Sequence, residues 1–311
     1  MASGGSSPVT GCTNTGAVTG QKYVGGIVGI SQERMSNISD CTNSGHITAT
    51  GNYAGGIAGF LSGYSSRVTI SKCSNTGTIE GVGGVGGLVG YTKSNEKTLT
   101  YSNCSNSGAI IATGNSVGGL FGMAQIGWSS SSNDRTVIAI SSSHNQGTVN
   151  GNDKLGGMIG KLIGGTSEDP HLSFEACFSN GGVSALAASP HTGAYIGYFE
   201  QNTTGSVVFT DSFYSSVPGC LAFDGADQAG VAGAYKIIAG TGVSVTPSTT
   251  EDLLHGGVKY FVSGKSVTVT LSGGSSYSAV DGSSNTVALT DLGGGSYSLT
   301  MPAADVTISA N

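Results

Sequence analysis

A short motif recurs along most of the chain, and its spacing constrains the fold more than any other feature. The motif Cys-x-Asn-x-Gly begins at Cys12, Cys41, Cys73 and Cys104, and weaker copies begin at Ser143 and Cys177. Each copy is followed by a small-Gly-Gly-apolar-apolar-Gly box, and the first apolar residues of these boxes are Ile27, Ile57, Leu88, Leu120, Met158 and Tyr195. These anchors lie 30 to 38 residues apart. A period of this length is typical of stacked supersecondary units.

The residue types at the recurring positions indicate strands. These positions carry Val, Ile, Thr and Gly, and no 3.6-residue apolar period runs through them, so each unit should consist of strands and turns. We therefore predict an all-β fold: a parallel β-solenoid (β-helix) of about six to seven coils over residues 12–234, preceded by a leader at residues 1–11.

Stacking predicts two columns of identical residues, because equivalent positions in adjacent coils lie ~4.8 Å apart. The predicted cysteine column comprises Cys12, Cys41, Cys73, Cys104 and Cys177, and the predicted asparagine column comprises Asn14, Asn43, Asn75, Asn106 and Asn145. We expect buried free thiols in the first column and amide hydrogen bonds along the second. The sequence contains no Cys-x-x-Cys pair, so neither a structural zinc ion nor another metal or cofactor is predicted.

The box poses a geometric problem. The residue after each anchor is also apolar, as at Val28, Val89 and Phe121. Because neighbours on a strand face opposite ways, one of the two apolar columns is expected to point outward. Either the inserts between repeats cover that column, or it is an exposed apolar stripe used for self-association.

The inserts are the candidate binding surface. They vary in length, carry charge and fall at the same phase of each repeat, so they should emerge on one side of the solenoid. Trp128 lies in the longest insert, where an aromatic platform would suit a sugar ring or a protein hot spot, or would cover the apolar column. The candidate ligand-binding residues are Tyr64, Arg67, Trp128, Asp134, Arg135, Glu168, Asp169 and His171.

The pattern changes after residue 234. Residues 249–254 carry the capping and acidic first-turn residues of a short helix. Residues 266–271 alternate Val and Thr, and further strand-like runs follow between Gly and Asp-Gly turns. Residues 235–311 are therefore predicted to form a small all-β domain, a β-sandwich or β-grasp-like module.

Charge and composition exclude several classes of function. The formal net charge is −6 without any basic cluster, so nucleic acid is not a predicted partner. No apolar run reaches the ~18 residues of a membrane-spanning helix. The first seven residues lack the charged and apolar regions of a signal peptide. The five histidines are isolated and no His-Glu-x-x-His motif occurs, so zinc-peptidase chemistry is not predicted.

The motifs together resemble a known repeat family. The Cys-x-Asn-x-Gly motif and the Val-Gly-Gly-Leu-Val-Gly box are similar to the GLUG repeat of bacterial surface proteins, over about residues 12–233. The stretch Thr300-Met-Pro-Ala-Ala-Asp-Val-Thr307 looks like the end of small β modules in exported proteins of gut-type bacteria, with Leu299 where Phe is usual. These resemblances imply a secreted or cell-surface protein with adhesin-like architecture. GLUG repeats also accompany zinc IgA peptidases, but that activity belongs to a separate catalytic domain.

Three functions are consistent with the sequence. The first is a non-enzymatic extracellular adhesin or cell-surface protein that binds a glycan or a host or matrix protein through its loops. The second is a self-assembling structural subunit of an extracellular filament, which associates through solenoid ends or the apolar stripe. The third is a polysaccharide-active β-helix enzyme that uses loop carboxylates such as Asp134 and Glu168.

Overall fold

The computed structural model is built from β-strands. It describes residues 8–32, 37–63, 68–94, 98–127, 137–164, 172–186, 191–200, 207–214, 231–251, 253–255 and 258–311. The chain divides into two compact units, Met1–Val231 and Ala232–Asn311, where the sequence pattern placed the change at residues 234 and 235. All regular structure in the described residues is strand, which confirms the predicted all-β class.

Five parallel sheets form the first unit, and we call them faces A to E in the order in which a coil visits them. Face A comprises Val9–Thr10, Ile38–Ser39, Val68–Ser71, Leu99–Ser102, Ile138–Ser141, Leu172–Glu175 and Val207–Thr210. Face B comprises Thr13–Asn14, Thr42–Asn43, Ser74–Asn75, Ser105–Asn106, His144–Asn145, Phe178–Ser179 and Ser212–Tyr214. Face C comprises Val18–Gly20, Ile47–Ala49, Ile79–Gly81, Ile110–Ala112, Val149–Gly151 and Val183–Ala185. Face D comprises Val24–Gly25, Ala54–Gly55, Val85–Gly86, Asn115–Gly118, Asp153–Gly156 and Thr192–Gly193. Face E comprises Val28–Ser31, Ala58–Gly63, Val89–Ser94, Phe121–Ile126, Ile159–Ile163 and Ile196–Glu200.

This arrangement is the predicted parallel β-solenoid, with six or seven strands on each face. Equivalent residues pair without slippage; for example, Asn75 pairs with Asn106 and Val85 with Val117. Val9–Thr10, within the predicted leader, pairs with Ile38–Ser39 and joins face A. Each insert connects face E of one coil to face A of the next. The variable segments therefore leave the solenoid at the same place in every coil.

Each coil encloses two apolar cores. The larger core lies among faces A, B and E and contains residues such as Ile70, Cys104 and Leu120. The smaller core lies between faces C and D and contains residues such as Ile79 and Val85. The asparagine column and the second glycine of each box lie close together: a Cβ at Gly56 would approach Asn75 Cγ to 2.5 Å. The glycine is needed because the amide fills the space that a side chain would take.

The structure corrects the expectation that one apolar column points outward. Both Ile57 and Ala58 are fully buried in the larger core, and so are Leu120 and Phe121. The amides of Ile57 and Ala58 both donate to the carbonyl of Leu88, at 2.9 and 3.0 Å. Two consecutive N–H groups that share one acceptor require the chain to turn a corner, so strand alternation does not apply there. Because both residues are buried, the second apolar column needs no covering loops and forms no exposed stripe.

The described residues of the second unit form two sheets and a hairpin. Its strands are Ile237–Ala239, Ser244–Pro247, Leu253–His255, Val258–Val262, Ser266–Ser272, Tyr277–Asp281, Thr290–Gly293, Ser296–Thr300 and Val306–Ala310, with Val231–Tyr235 crossing the unit boundary. A three-stranded sheet has Val306–Ala310 at its centre, and a four-stranded antiparallel sheet has Ser266–Ser272 and Ser296–Thr300 as its inner strands. Val267, Leu299 and Ile308 belong to one buried core.

The predicted helix at residues 249–254 is wrong. Leu253–His255 is a strand that pairs antiparallel with Val258–Val262. A single turn of helix is marginal without tertiary support because nucleation is costly, whereas a hairpin strand gains hydrogen bonds from its neighbour.

Candidate ligand-binding groove

The candidate binding residues of the inserts lie outside the described residues. They are Tyr64, Arg67, Trp128, Asp134, Arg135, Glu168, Asp169 and His171. Their role in binding therefore stays a prediction.

The asparagine column forms a hydrogen-bonded ladder in the structure. Nδ2 donates to Oδ1 of the asparagine in the next coil, at 2.7 Å from Asn14 to Asn43, 2.7 Å from Asn43 to Asn75, 2.8 Å from Asn75 to Asn106 and 2.8 Å from Asn106 to Asn145. Each of these Nδ2 groups also donates to the carbonyl two residues along its own chain, as from Asn75 to Gly77. Because the amides of the ladder bond to one another within the stack of coils, we assign the ladder a structural role and not a role in ligand binding.

The cysteine column is equally internal. All five thiols are free, and those of Cys41, Cys73, Cys104 and Cys177 are buried while Cys12 is half-buried. Each sulfur lies near a backbone carbonyl, as Cys41 Sγ does at 3.1 Å from Ser39 O. Burial raises the pKa of Cys41 to about 11 and that of Cys177 to about 12. The thiols of Cys41 and Cys177 therefore stay neutral at physiological pH and are poor nucleophiles or metal ligands.

A different part of the solenoid, the corner between faces C and D, carries a column of equivalent residues that differ in type from coil to coil. The residue immediately before each face D box has a positive φ at Tyr23 (57°), Tyr53 (72°), Gly84 (61°), Ser116 (65°) and Lys154 (59°). Backbone hydrogen bonds hold these residues in register, as from Tyr53 N to Gly83 O at 2.9 Å and from Gly84 N to Asn115 O at 3.1 Å. The same backbone position thus presents an aromatic ring, no side chain, a hydroxyl or an ammonium group, depending on the coil.

In the first coils this column forms part of an aromatic ladder. Tyr23 and Tyr53 stack with centroids 5.3 Å apart, and Tyr53 stacks on Tyr91 of face E at 5.2 Å. Phe60 packs beside them, with its centroid 4.9 Å from that of Tyr91. Lys22 places Nζ 4.6 Å from the centre of the Tyr23 ring, a cation–π contact. Burial, followed by the neighbouring Tyr53 and Tyr23, raises the pKa of Tyr91 to about 12, so its phenol stays neutral.

The ladder continues through Tyr91, and a groove lies beside Tyr53 because the next two coils place Gly84 and Ser116 where the first two place tyrosines. The groove has a volume of about 420 Å³. It is lined by Asn52, Tyr53, Val82, Gly83, Gly84, Gly114, Asn115, Ser116, Met123 and Asn152. None of these side chains is charged at neutral pH, so the groove has the chemistry of a site for an uncharged polar ligand.

Most of the hydrogen-bonding capacity of the groove lies in side chains. Main-chain groups at its floor bond between coils, as from Gly114 N to Val82 O at 2.8 Å and from Asn152 N to Gly114 O at 2.9 Å. Asn52, Asn115 and Asn152 are exposed, and Asn152 Nδ2 donates to Asn115 Oδ1 over a long 3.4 Å. The three amides form a rim that can both donate to and accept from a ligand.

A charged cluster follows in the next two coils. Asp153 Oδ1 accepts from His191 N at 2.8 Å and lies 2.9 Å from His191 Nδ1. Although burial raises the pKa of Asp153, the hydrogen bonds from His191 outweigh it and hold that pKa below the ordinary value. Lys154 Nζ lies 4.5 Å from the centre of the Tyr198 ring, and Lys161 pairs with Glu200. These charged groups already bind one another. The uncharged groove is therefore the better candidate for binding a ligand.

Two further findings concern the described part of the chain. No group of three or more His, Cys, Asp or Glu side chains is placed there to hold a metal ion. Over the same residues, no helix is long and apolar enough to cross a bilayer.

The groove was not predicted from the sequence. Its signal is visible once the repeats are aligned on the box: the residues that precede it are Tyr23, Tyr53, Gly84, Ser116, Lys154 and His191. A column that changes from aromatic to small and then to charged marks a local opening in an otherwise regular surface. Clustered charges and catalytic motifs do not reveal the groove, because it contains neither.

Comparison with known proteins leaves the function open. No protein-family model matches the sequence, and no curated protein matches it. A crystal structure from Bacteroides ovatus, of a protein named as a "putative immunoglobulin A1 protease", is similar with a TM-score of 0.41 and 18% identity, covering 66% of this chain. The chain spans 66% of the length of that structure. A similarity at this level carries no inference about activity.

Proposed function

We propose that the chain is a non-enzymatic, extracellular, adhesin-like protein that binds a glycan or a host or matrix protein on the outer surface of its solenoid. The observation that carries this proposal is the uncharged groove of about 420 Å³ beside the aromatic ladder. The extracellular location rests on the resemblance to repeats of bacterial surface proteins.

The chemistry of the groove favours binding over catalysis. Glycoside cleavage by general acid and base needs a pair of carboxyl groups across the scissile bond, and the residues that line the groove are amides, glycines, one hydroxyl, one phenol and apolar side chains. Binding needs only a complementary shape and a few polar groups, which the groove provides. The enzymatic alternative depends on Asp134 and Glu168, which lie outside the described residues.

The test is a binding screen combined with an assay for turnover. The full chain is applied to immobilised bacterial and host glycans and to extracellular-matrix proteins, and retained targets are then incubated with the protein in solution. We expect retention on at least one target without release of reducing ends or peptide fragments. Product release that Asp134→Ala or Glu168→Ala abolishes would contradict the proposal and establish the enzymatic alternative.

A second candidate, self-assembly into a filament, is favoured by the first coil. Val9, Cys12, Val18 and Ile27 are only half-buried, whereas the residues above them in the second coil are buried. In the described residues, no strand pairs with the other side of this coil, and open strand edges can template further pairing. Size-exclusion chromatography with light scattering over a concentration series tests this candidate: growth in mass with concentration supports it, and a constant monomer mass excludes it.

A further inference from the structure

We propose that the groove beside Tyr53 binds one or two rings of a neutral sugar, with Met123, Val82 and the edge of the Tyr53 ring against the C–H face of the sugar and Asn52, Asn115 and Asn152 bonded to its hydroxyl groups. This inference rests on the proposed function, since it names the ligand class and the site of the proposed binding protein.

The size and the walls of the groove define the ligand. Its volume of about 420 Å³ lies in the lower part of the ~300–1,000 Å³ range of small-molecule sites. One side presents the half-buried ring of Tyr53, and another presents Met123, which pairs in register with Tyr91 on face E. Val82 is 40% exposed. A pyranose fits this combination because one of its faces carries C–H groups while its edge carries hydroxyls.

The rim defines the polarity of the ligand. Asn52, Asn115 and Asn152 are exposed amides, each of which can donate and accept. Sugar hydroxyls have the same dual character, so three amides around a shallow groove match a ring of hydroxyls. No lining residue is charged, so a carboxylated or sulfated sugar would bind without an ion pair to offset its desolvation.

A peptide ligand fits less well. An extended peptide usually gains affinity by adding a strand to a sheet edge, and that requires free backbone groups. Around the groove, the amides of Tyr53, Gly84, Gly114 and Asn152 already donate to carbonyls of neighbouring coils. The groove therefore offers side chains rather than an edge.

Two wall residues provide variants that weaken binding. Met123 lines the groove and is half-buried, so Met123→Ala removes an apolar wall. Asn115→Ala removes a rim amide. Gly84→Tyr is unsuitable as a filling variant, because a Cβ at Gly84 would lie 2.5 Å from Tyr53 Cδ1 and the Tyr53 ring is stacked between Tyr23 and Tyr91.

The experiment is saturation-transfer NMR on the full chain with the methyl glycosides of glucose, galactose, mannose and N-acetylglucosamine, with cellobiose, and with N-acetylneuraminic acid as the anionic comparator. We expect at least one neutral sugar to bind and the anionic sugar to bind at least tenfold more weakly. Met123→Ala and Asn115→Ala should each reduce affinity at least threefold. Asn150→Ala, an amide deletion on face C, should leave affinity unchanged, and circular dichroism should show that each variant is folded.

The possible results separate this inference from the proposed function. If no neutral sugar binds, or if both groove variants bind like the original chain, the inference is overturned. If in that case the chain is still retained on glycans or matrix proteins, the proposed function stands and its site lies elsewhere. If retention depends on a protein target and Met123→Ala abolishes it, the groove binds a protein and the sugar assignment is wrong. If nothing is retained in either assay, both proposals fail.

Discussion

At the scale of single residues, the buried asparagine ladder is the most specific structural element of the solenoid. Asn106 is fully buried, accepts from Asn75, and donates to Asn145 and to Gly108 O. Each amide satisfies its neighbours, so loss of one leaves two others with unmet hydrogen bonds. The consequence should depend on position in the ladder, since Asn14 at one end bonds to only one other ladder amide, Asn43.

Replacement of Asn106 by Ala is therefore expected to lower the free energy of unfolding by about 3 kcal/mol, because buried donors and acceptors are left without partners. Asn14→Ala should cost about 1 kcal/mol, since Asn14 is half-buried and ends the ladder. Urea unfolding followed by circular dichroism measures both. Equal losses in the two variants would show that the ladder does not act through its buried amides.

Titration of Cys177 makes the stability of the protein depend on alkaline pH. Burial raises the pKa of Cys177 from 9.0 to about 12, so the folded state holds a proton that the unfolded state has released. The stability from this group is complete below pH 9 and is lost as pH rises from 9 toward 12. Between pH 8 and pH 10.5 the loss from Cys177 should amount to about 2 kcal/mol.

Cys177→Ser should remove that part of the alkaline loss. The geometry admits serine, since Ser143 and Ser212 occupy equivalent positions and donate to Ser141 O at 2.8 Å and Thr210 O at 3.0 Å. We expect the variant to lose about 2 kcal/mol less than the original chain between pH 8 and pH 10.5. Urea unfolding at several pH values measures this, and parallel curves for the two proteins would contradict it.

At the scale of elements, the corner of the Gly-Gly box determines which residues form the core. Phe121 follows the anchor Leu120, is fully buried, and contacts the ring of Tyr101 with centroids 4.6 Å apart. Phe121→Ala is therefore expected to cost about 3–5 kcal/mol. Ile111→Ala on face C should cost less than about 0.5 kcal/mol, because Ile111 is 41% exposed. Thermal unfolding compares the two variants. Similar losses of stability would instead support the hypothesis that the residue after each anchor points outward.

The solenoid could be predicted from the sequence because the same motif recurs from coil to coil. Residues such as Cys73 and Cys104 recur in register, and each copy supports the same coil. The corner was misjudged because alternation assumes a continuous strand, and the amides of Ile57 and Ala58 that share one acceptor belong to a bend. The single predicted helix failed for the opposite reason: one short segment had no repeat to support it, and pairing with Val258–Val262 decided its structure.

The groove could not be predicted from composition, because it arises from a missing side chain. Gly84 resembles the many other glycines of the boxes in the sequence. Alignment of the repeats places it in one column with Tyr53, but only the structure shows that the Tyr53 side chain lines the opening beside it. The amides of Asn115 and Asn152 lie in different coils and become neighbours through the register of face D and the turn before it.

At the scale of the whole molecule, the chain contains two units with separate cores. The first unit depends on contacts between neighbouring coils, and its stability is a sum of coil and interface terms. Ten of the buried residues described in the second unit form one core, and these residues are distinct from those of the two solenoid cores. Separate cores imply that a substitution in one unit acts mainly on the unfolding of that unit.

Phe261 tests this division. Its side chain is fully buried in the core of the second unit, so Phe261→Ala should remove about 3–5 kcal/mol from that unit. Leu120→Ala is the matched change in the solenoid, where Leu120 is also fully buried. We expect calorimetry of the full chain to show two transitions, with each variant lowering a different one. A single transition that both variants shift would mean that the two units unfold together. A groove variant that loses binding would then need to be compared with the original chain at equal stability of the whole chain.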